Sequence, residues 1–139
     1  MPLEGFLKFE GIEGECKDAE HPQWIDVTGF EWSMSQEAQP APDGTLEAGT
    51  PTVQSFQFQQ PYSRASVPLF LACCTGRQFP TATFEGRLRN GDSHFTFMHV
   101  DFKDCLVTSV QTSSEGARVT EQIEVVFRSI NIRAEERPL

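Results

Sequence analysis

Residues 79–102 have the sequence FPTATFEGRLRNGDSHFTFMHVDF, and this stretch decides the fold class. Phe79–Arg89 leads into Asn90-Gly91, the dipeptide most typical of a two-residue type I′ turn, and Ser93–Phe102 returns. The stretch therefore predicts an antiparallel β-hairpin.

The apolar positions of the returning strand change parity between Phe97 and Val100. Because alternate residues of a strand point to opposite faces, this change indicates an inserted residue. We expect a β-bulge near Met98 and His99.

Further strands are predicted on both sides of this hairpin. Their apolar residues follow period two or form short runs bounded by glycine, proline or polar turns. An antiparallel β-barrel or sandwich accounts best for so many short strands. The predicted strands are Gly5–Glu10, Trp24–Met34 with a kink at Gly29, Ser55–Gln60, Leu106–Thr112 and Val119–Ile132.

One segment has the pattern of a short helix. Ser66 is a candidate N-cap, Pro68 fits the first turn, and Gly76 stands where a left-handed residue ends a helix. The residues between are apolar nearly all round, so we expect most faces of the helix to be covered. A short helix docked against the sheet makes the fold mostly β, of the α+β kind.

Ser35–Val53 contains almost no large apolar side chain and no period. It is interrupted by Pro40, Pro42, Gly44, Gly49 and Pro51. These features predict a long loop without regular structure, and loops of this length in compact domains tend to be functional or disordered.

Length and composition place the chain among globular proteins. A chain of 139 residues fits one domain, residues 1–139. With 38% hydrophobic residues, 22% charged residues and 12 Phe, it is neither collagen-like nor disordered.

The net charge of −9 is confined to the first part of the chain. Residues 1–62 hold eleven acids and two lysines, whereas nine acids meet nine bases afterwards. This acidity argues against nucleic acid and anionic membranes as partners. The start, Met-Pro-Leu-Glu-Gly, lacks a signal-peptide pattern, and the longest apolar run, Val67–Cys74, is too short to span a membrane, so we expect a cytoplasmic protein without membrane insertion.

Residues that could carry chemistry are sparse. The histidines are His21, His94 and His99, and no Gly-x-Ser-x-Gly motif is present. His99 near Asp101 leaves a hydrolase as a weak alternative, but a structural histidine fits better. No metal-binding spacing is found, and the acidic run from Glu10 to Glu20 lacks EF-hand spacing. We therefore expect no enzyme activity, no cofactor and no metal.

Four cysteines are candidates for disulfide, redox or metal roles: Cys16, Cys73, Cys74 and Cys105. Two are adjacent in the predicted helix, and no secretory signal precedes them. Reduced thiols that pack as small apolar side chains are the favoured interpretation.

Two surface patterns suggest contact with other polar surfaces. Gln54, Gln57, Gln59 and Gln60 flank the apolar positions Phe56 and Phe58, which fits either a polar interface or simple solvent exposure. An acidic first half also favours contact between copies of the chain, since arginines follow it (Arg64, Arg77, Arg87 and Arg89). Such heterologous contacts close into rings or grow into filaments.

The ordered set of motifs resembles the haemolysin-coregulated protein family, Hcp, of bacterial type VI secretion. The similarity covers nearly the whole chain. The motifs are FLKFEGIEGE at 6–15, WIDV at 24–27, FEWSMSQ at 30–36, FQF at 56–58, SVPLFLACCTG at 66–76 and VTEQIEVVF at 119–127.

This resemblance implies a β-barrel with a flanking helix, assembled as a homohexameric ring, and rings that stack into a hollow tube. A contractile sheath propels the tube, which acts with a spike, carries small effector proteins in its lumen and leaves the cell without a signal peptide. In this family Glu31 matches a channel-lining position. The segment of about residues 38–53 matches an extended loop that reaches toward the adjacent ring, with Gln39, Asp43, Thr45, Leu46 and Glu47 as its stacking residues.

The chain departs from the family pattern at a few positions. Gln59 and Gln60 stand where a basic residue is common, Pro68 falls one residue late, and Glu31 replaces a small polar residue. The usual terminal aromatic residue is absent, so we expect no fused effector domain.

Two other functions remain compatible with the sequence. A phage-tail tube protein solves the same stacking problem with a similar barrel. A monomeric β-barrel that binds a small ligand would use Trp24 and Trp32 to line a pocket.

Overall fold

The computed structural model describes residues 3–134, with the side chains of residues 33–37 and 48–54 outside that description. Strands make up most of it, together with one short helix, as the sequence predicted. In chain order the elements are β1 (Leu3–Phe9), β2 (Ile25–Val27), β3 (Gly29–Pro40), β4 (Leu46–Pro61), α1 (Ser66–Thr75), β5 (Gln78–Asn90), β6 (Ser93–Glu115) and β7 (Arg118–Ala134).

The strands form one antiparallel sheet that closes on itself. Their order is β2-β1-β5-β6-β7-β4-β3, so β2 and β3 stand at opposite ends of the sheet. In the chain, however, only Thr28 separates these two strands. The Thr28 N–H donates to the backbone oxygen of Gln59 in β4, at 2.9 Å. The sheet must therefore curl until its ends meet at Thr28, which confirms the predicted barrel.

This closure corrects the expectation of a single kinked strand from Trp24 to Met34. Val27 pairs with Gly5 of β1, whereas Gly29 pairs with Gln59 of β4. The chain breaks into two strands at Thr28 because its backbone groups on either side of that residue bind different partners.

The β5–β6 hairpin forms as predicted, but its turn is of a different type. Asn90 pairs with Ser93, so Gly91 and Asp92 are the two central turn residues. Gly91 has φ = 63°, and Asp92 is not among the described residues with positive φ. This is the pattern of a type II′ turn, which needs glycine at its first central position.

The predicted bulge in the returning strand is confirmed. Gly86 pairs with Met98 and Arg87 with Thr96, which leaves Phe97 as the extra residue of β6. A Cβ at Gly86 would lie 3.1 Å from the Phe97 ring, so glycine leaves room for that ring beside β5.

Helix α1 occupies the predicted segment, with two corrections. Its N-cap is Ala65 rather than Ser66, and the Ser66 hydroxyl instead accepts the Ser63 N–H at 2.9 Å. Gly76 ends the helix in the left-handed region, φ = 70°, as expected. The apolar side chains are not covered on most faces, because only Leu69 and Ala72 contact the barrel as buried apolar residues of α1.

The segment predicted to lack regular structure is a β-hairpin. β3 and β4 stay paired from Gly29↔Gln59 to Pro40↔Leu46, and only residues 41–45 form the turn. Two register shifts, at Trp32/Met34 and Gln36/Ala38, interrupt the ladder. The composition is poor in strand formers, but backbone hydrogen bonds to the facing strand make the pairing possible.

The barrel interior is filled largely by phenylalanine. Phe56 lies near its centre, with its ring centroid 5.0 Å from Phe102 and 5.3 Å from Phe84. The other buried aromatic residues of this cluster are Phe9, Phe58, Phe79 and Phe127. The helix in the described residues is too short to cross a membrane.

Candidate functional surfaces

A polar face formed by β3, β4, β7 and β6 is the first candidate surface. One row across these strands joins Glu31, Gln57 and Glu124 through register pairs, and the next joins Gln59, Gln122 and Gln111. We call this set of six residues the glutamine face. It points away from the core because the alternate residues of β4, Phe56 and Phe58, are buried.

Hydrogen bonds hold the centre of the glutamine face in place. Glu124 accepts from the Gln57 amide at 3.1 Å, the Ser55 hydroxyl at 3.1 Å and the Thr108 hydroxyl at 2.9 Å. Gln122 donates to the Gln57 side-chain oxygen at 3.3 Å. The Glu124 carboxylate therefore accepts its hydrogen bonds from neutral side chains.

Glu31 differs from Glu124 in its surroundings. It is exposed, and it borders a depression of about 210 Å³ that is also lined by Gln57, Gln59 and Gln122. No lysine or arginine lines that depression within the described residues. Glu31, the predicted channel-lining residue, thus lies beside amide and aromatic side chains with no basic side chain among the described residues of the depression.

The sequence identified part of this face. Gln57 and Gln59 have the predicted outward parity, whereas Gln60 is buried and donates to Glu121 at 3.0 Å. Gln54 lies among the side chains that are not described. Gln111 and Gln122 were missed, since only the strand register shows that they continue the same rows.

The second candidate surface is the part of the β3–β4 hairpin that extends beyond the barrel. We call residues 33–55 the projecting hairpin, since β4 pairs with β7 only from Phe56 to Pro61. At its tip, Asp43 accepts hydrogen bonds from the Thr45 N–H at 3.0 Å and the Thr45 hydroxyl at 2.6 Å. These bonds lower the pKa of Asp43 and keep its carboxylate charged.

The predicted stacking residues lie together on this tip. Gln39 pairs with Glu47, two positions from the turn, and both are exposed. Leu46 follows the turn and is 76% exposed, so an apolar side chain stands beside the two acids of the tip. The structure thus places the five predicted stacking residues close together. They lie on a turn and the two paired strands beside it, not on the irregular loop that the sequence predicted.

The outer side of α1 forms a third exposed apolar surface. Val67, Phe70 and Leu71 are each more than half exposed, and Phe70 and Leu71 lie one helical turn after Val67. Cys74 is exposed next to them. An apolar helix face of this kind is typical of a contact with another protein.

The histidines belong to a network of ion pairs that the sequence did not reveal. His21 is buried, its ring stacks on Phe6 at 3.9 Å, and its two nitrogens lie 2.7 Å from Asp18 and 3.0 Å from Glu85. Arg87 lies beside them, 1% exposed, with its guanidinium over the Phe6 ring.

Arg87 fixes the carboxylates around it. It donates to both oxygens of Asp18, at 2.9 and 3.1 Å, and to Glu4 at 2.8 Å. The hydrogen bond from Arg87 holds the pKa of Asp18 well below its usual range, with a further contribution from His21. This network fastens the connection between β1 and β2 to β5, and it is structural in character.

The proposed catalytic pair His99 and Asp101 is an outlying part of that network. His99 lies 3.3 Å from Asp101, but the same Asp101 oxygen also accepts from the Thr83 hydroxyl at 3.2 Å. The other His99 nitrogen is 3.7 Å from Glu85. These contacts fit a hydrogen-bonding, structural role for His99.

Cysteines and tryptophans occupy separate environments. Cys16 and Cys105 are buried, and burial raises the pKa of each thiol to about 11, so both stay protonated and unreactive. Trp32 packs 5.8 Å from Phe56 at the core, whereas Trp24 meets the edge of His21 at 4.8 Å. The two tryptophans therefore contact different groups of residues.

Comparison with known proteins yields one family. The family described as "Type VI secretion system effector, Hcp" matches residues 6–133. The chain is 30% identical over 134 residues to Protein hcp1 of Pseudomonas aeruginosa, covering 95% of this chain and 83% of that one.

Solved structures agree with this match. The crystal structure of Hcp1 from Salmonella typhimurium has a TM-score of 0.81 and 26% identity, covering 96% of this chain and 87% of the other. A type VI secretion system effector from Yersinia pestis has a TM-score of 0.79 and 25% identity, covering 96% and 91%.

Proposed function

The chain belongs to the Hcp family of type VI secretion proteins, and on that basis we propose that it assembles into homohexameric rings that stack as a hollow tube. The tube carries small effector proteins and works together with a sheath and a spike. It is assembled in the cytoplasm and exported by the secretion system itself. Its function is assembly and transport rather than catalysis.

The observation that carries this proposal is the match along almost the entire chain. Residues 6–133 fit the family, and a solved Hcp structure matches 96% of the chain. The glutamine face and the projecting hairpin both lie within residues 6–133. The match therefore supports the same surfaces, as well as the same fold, in this chain and in the family.

We assign the glutamine face to the wall of the channel. Glu31 lies on it, and its acids stand among amide groups without lysine or arginine in the adjacent depression. A wall of this kind favours cargo that presents basic and hydrogen-bonding groups, because opposite charges attract across the lumen.

We assign the tip of the projecting hairpin to the contact between successive rings. Gln39, Asp43, Thr45, Leu46 and Glu47 are exposed there, and an exposed leucine within an acidic rim suits a contact with an apolar, basic surface.

The proposal is tested by measuring the mass of the purified full chain by light scattering and by imaging it with negative-stain electron microscopy. Hexameric rings with a central hole, alone or stacked, are the expected result. A species that stays monomeric from micromolar to millimolar concentration would refute the proposal and favour a monomeric ligand-binding barrel.

A further inference from the structure

The tip of the β5–β6 hairpin carries the only Asn-Gly sequence of the chain. Asn90 is the last paired residue of β5, opposite Ser93, and Gly91 follows it as the first central residue of the turn. Both Asn90 and Gly91 are exposed. A Cβ at Gly91 would have no heavy atom within 4 Å, so the backbone there is open to approach.

The backbone nitrogen of Gly91 is free to react. No hydrogen bond between described residues uses its N–H group, whereas the Ser93 hydroxyl donates to the Asn90 backbone oxygen at 2.9 Å. That oxygen and the Gly91 nitrogen belong to one peptide group. The hydrogen bond from Ser93 therefore stabilises the negative charge that this group takes when the nitrogen loses its proton.

Few backbone contacts hold the tip of this hairpin. β5 pairs with β1 only as far as Leu88↔Leu3, and β6 pairs with β7 only from Met98↔Ala134 onward. Residues 89–97 therefore pair with each other alone in the described part of the chain. Exposed hairpin ends of this kind open locally at a low cost in free energy.

The base of the tip stays in place when the end opens. Arg89 donates from its Nε to Glu4 of β1 at 2.6 Å, which ties the last part of β5 to the barrel. Opening of the Asn90↔Ser93 pair then lets the Asn90 side chain rotate toward the Gly91 nitrogen while the barrel remains folded.

A second dipeptide of related chemistry, Asp43-Gly44, lacks these features. The Gly44 N–H donates to the Ala41 backbone oxygen at 3.0 Å, so that nitrogen is occupied. The Asp43 carboxylate accepts two hydrogen bonds from Thr45, and a charged carboxylate is a poor electrophile. The same ring closure is therefore hindered at the tip of the projecting hairpin and open at the β5–β6 tip.

We propose that Asn90 is a site of spontaneous deamidation, promoted by the Ser93 hydroxyl. Water takes the proton of the Gly91 nitrogen, which attacks the Asn90 side-chain carbonyl carbon. The new C–N bond closes a succinimide ring, the bond to the side-chain nitrogen breaks, and that nitrogen takes up a proton and leaves as ammonia. Water then adds to either ring carbonyl, breaks its bond to the ring nitrogen and leaves aspartate or isoaspartate, with no change in oxidation state.

The reaction changes the tip in charge and in backbone length. Each product adds one carboxylate beside the exposed Asp92. Isoaspartate also places the former side-chain methylene in the main chain, which a two-residue turn with glycine at its first central position does not accommodate. Old copies of the protein therefore differ from newly made copies at this turn.

Peptide mass spectrometry of the purified full chain tests the site. Trypsin releases Asn90 in the peptide of residues 90–103 and the other asparagine of the chain, Asn131, in the peptide of residues 129–133. During incubation at mildly alkaline pH, a mass gain of about 1 Da should accumulate in the first peptide. It should do so at least about tenfold faster than in the second, because Asn131 is paired within the sheet and precedes the β-branched Ile132.

Two further measurements separate isoaspartate from aspartate and the folded chain from the unfolded one. Transfer of a labelled methyl group from S-adenosylmethionine by an isoaspartyl methyltransferase marks isoaspartate alone. The rate at Asn90 in the folded chain should lie within about tenfold of the rate in guanidinium chloride, because the tip opens readily.

A variant tests the part assigned to the hydroxyl. Ser93→Ala should slow the loss of Asn90 by roughly threefold, since the peptide group then loses its hydrogen-bond donor. Ser129→Ala removes an exposed serine of β7 and should leave the rate unchanged. Circular dichroism shows whether both variants are folded.

The outcomes are independent of the proposed tube. Equal rates at Asn90 and Asn131, or a folded chain that protects Asn90 more than tenfold relative to the unfolded chain, overturn the site. A rate in Ser93→Ala that equals or exceeds the wild-type rate overturns the role of the hydroxyl. A chain that deamidates at Asn90 but stays monomeric supports the site and refutes the tube.

Discussion

Phe56 and Val125 form the last residue pair that joins β4 to β7. On one side of this pair the sheet is continuous around the barrel, and on the other the two strands separate. The Phe56 ring is held in the aromatic core, 5.0 Å from Phe102, so the position of the separation is fixed by packing. The divergence leaves the projecting hairpin beyond the barrel, and residues 126–134 of β7 pair with β6 alone.

Assembly should weaken as ionic strength rises. Asp43 and Glu47 give the tip of the projecting hairpin exposed negative charge, and salt screens the attraction between such charges and a basic partner surface over about 8–10 Å. Sedimentation or light scattering between low and high sodium chloride measures this dependence. A stacking equilibrium that does not change with salt would mean that the acidic half is merely solvated.

Replacing Glu31 should change cargo binding without changing assembly. Glu31→Gln removes an exposed carboxylate from the glutamine face, and assembled rings should then retain a small basic protein, cytochrome c, about threefold less at low salt. The exposed acid Asp92 on the β5–β6 turn gives the matched control, Asp92→Asn. Equal retention by wild type and Glu31→Gln would contradict a channel role for this face.

Arg87→Met should destabilise the fold strongly. The substitution leaves Asp18 and Glu4 without the guanidinium that binds them, and breaking a buried ion pair costs about 3–5 kcal/mol. Urea unfolding measures the loss. The control Arg64→Met removes an exposed pair with Glu13 at 3.8 Å, and should change stability by less than about 0.5 kcal/mol.

Stability should decrease in acid through Asp18. Arg87 lowers the pKa of Asp18 in the folded state below its unfolded value, so its contribution is complete above the unfolded pKa and is lost as pH falls below about 4. The pKa of Glu4 is also lowered, because Arg89 and Arg87 outweigh the effect of burial.

The slope of unfolding free energy between pH 7 and pH 3 checks this assignment. Asp18→Asn should be less stable than wild type at pH 7 and should lose less stability on acidification. Asp92→Asn should keep the wild-type slope. If Asp18→Asn also shows the wild-type slope, the ion pairs of Asp18 do not account for the loss of stability in acid.

Gly14→Ala should destabilise the connection between β1 and β2. A Cβ there would lie 2.7 Å from the Trp24 carbonyl carbon and 2.9 Å from the Ile25 Cα, so the backbone must shift. Overpacking of this kind costs about 1–3 kcal/mol. Thermal unfolding measures it against Gly29→Ala, where the nearest atom is the movable side-chain oxygen of Gln59 at 3.2 Å.

Local patterns in the sequence determined most elements. The β5–β6 hairpin, helix α1 with Gly76 at its end, and the inward phenylalanines of β4 all follow from turn residues and from the two- or 3.6-residue period. Gln57 and Gln59 were identified for the same reason, because parity along one strand decides which side chains face outward.

Features that depend on partners distant in the chain could not be predicted this way. The strand pairing of residues 46–53, the closure of the barrel at Thr28 and the His21 network each need contacts between segments that no local pattern connects.

The sequence by itself thus determined that Phe56 and Phe58 of β4 face the core, where the β5–β6 hairpin turns, and that the first half of the chain is acidic. The tertiary structure alone decided which strand edges remain unpaired, because an edge is free or bonded according to where β4 separates from β7 at Phe56 and Val125. The hydrogen bonds of a strand edge depend on a second segment that can be distant in the chain. Which segment pairs with which, and in what register, is settled only when the whole barrel closes.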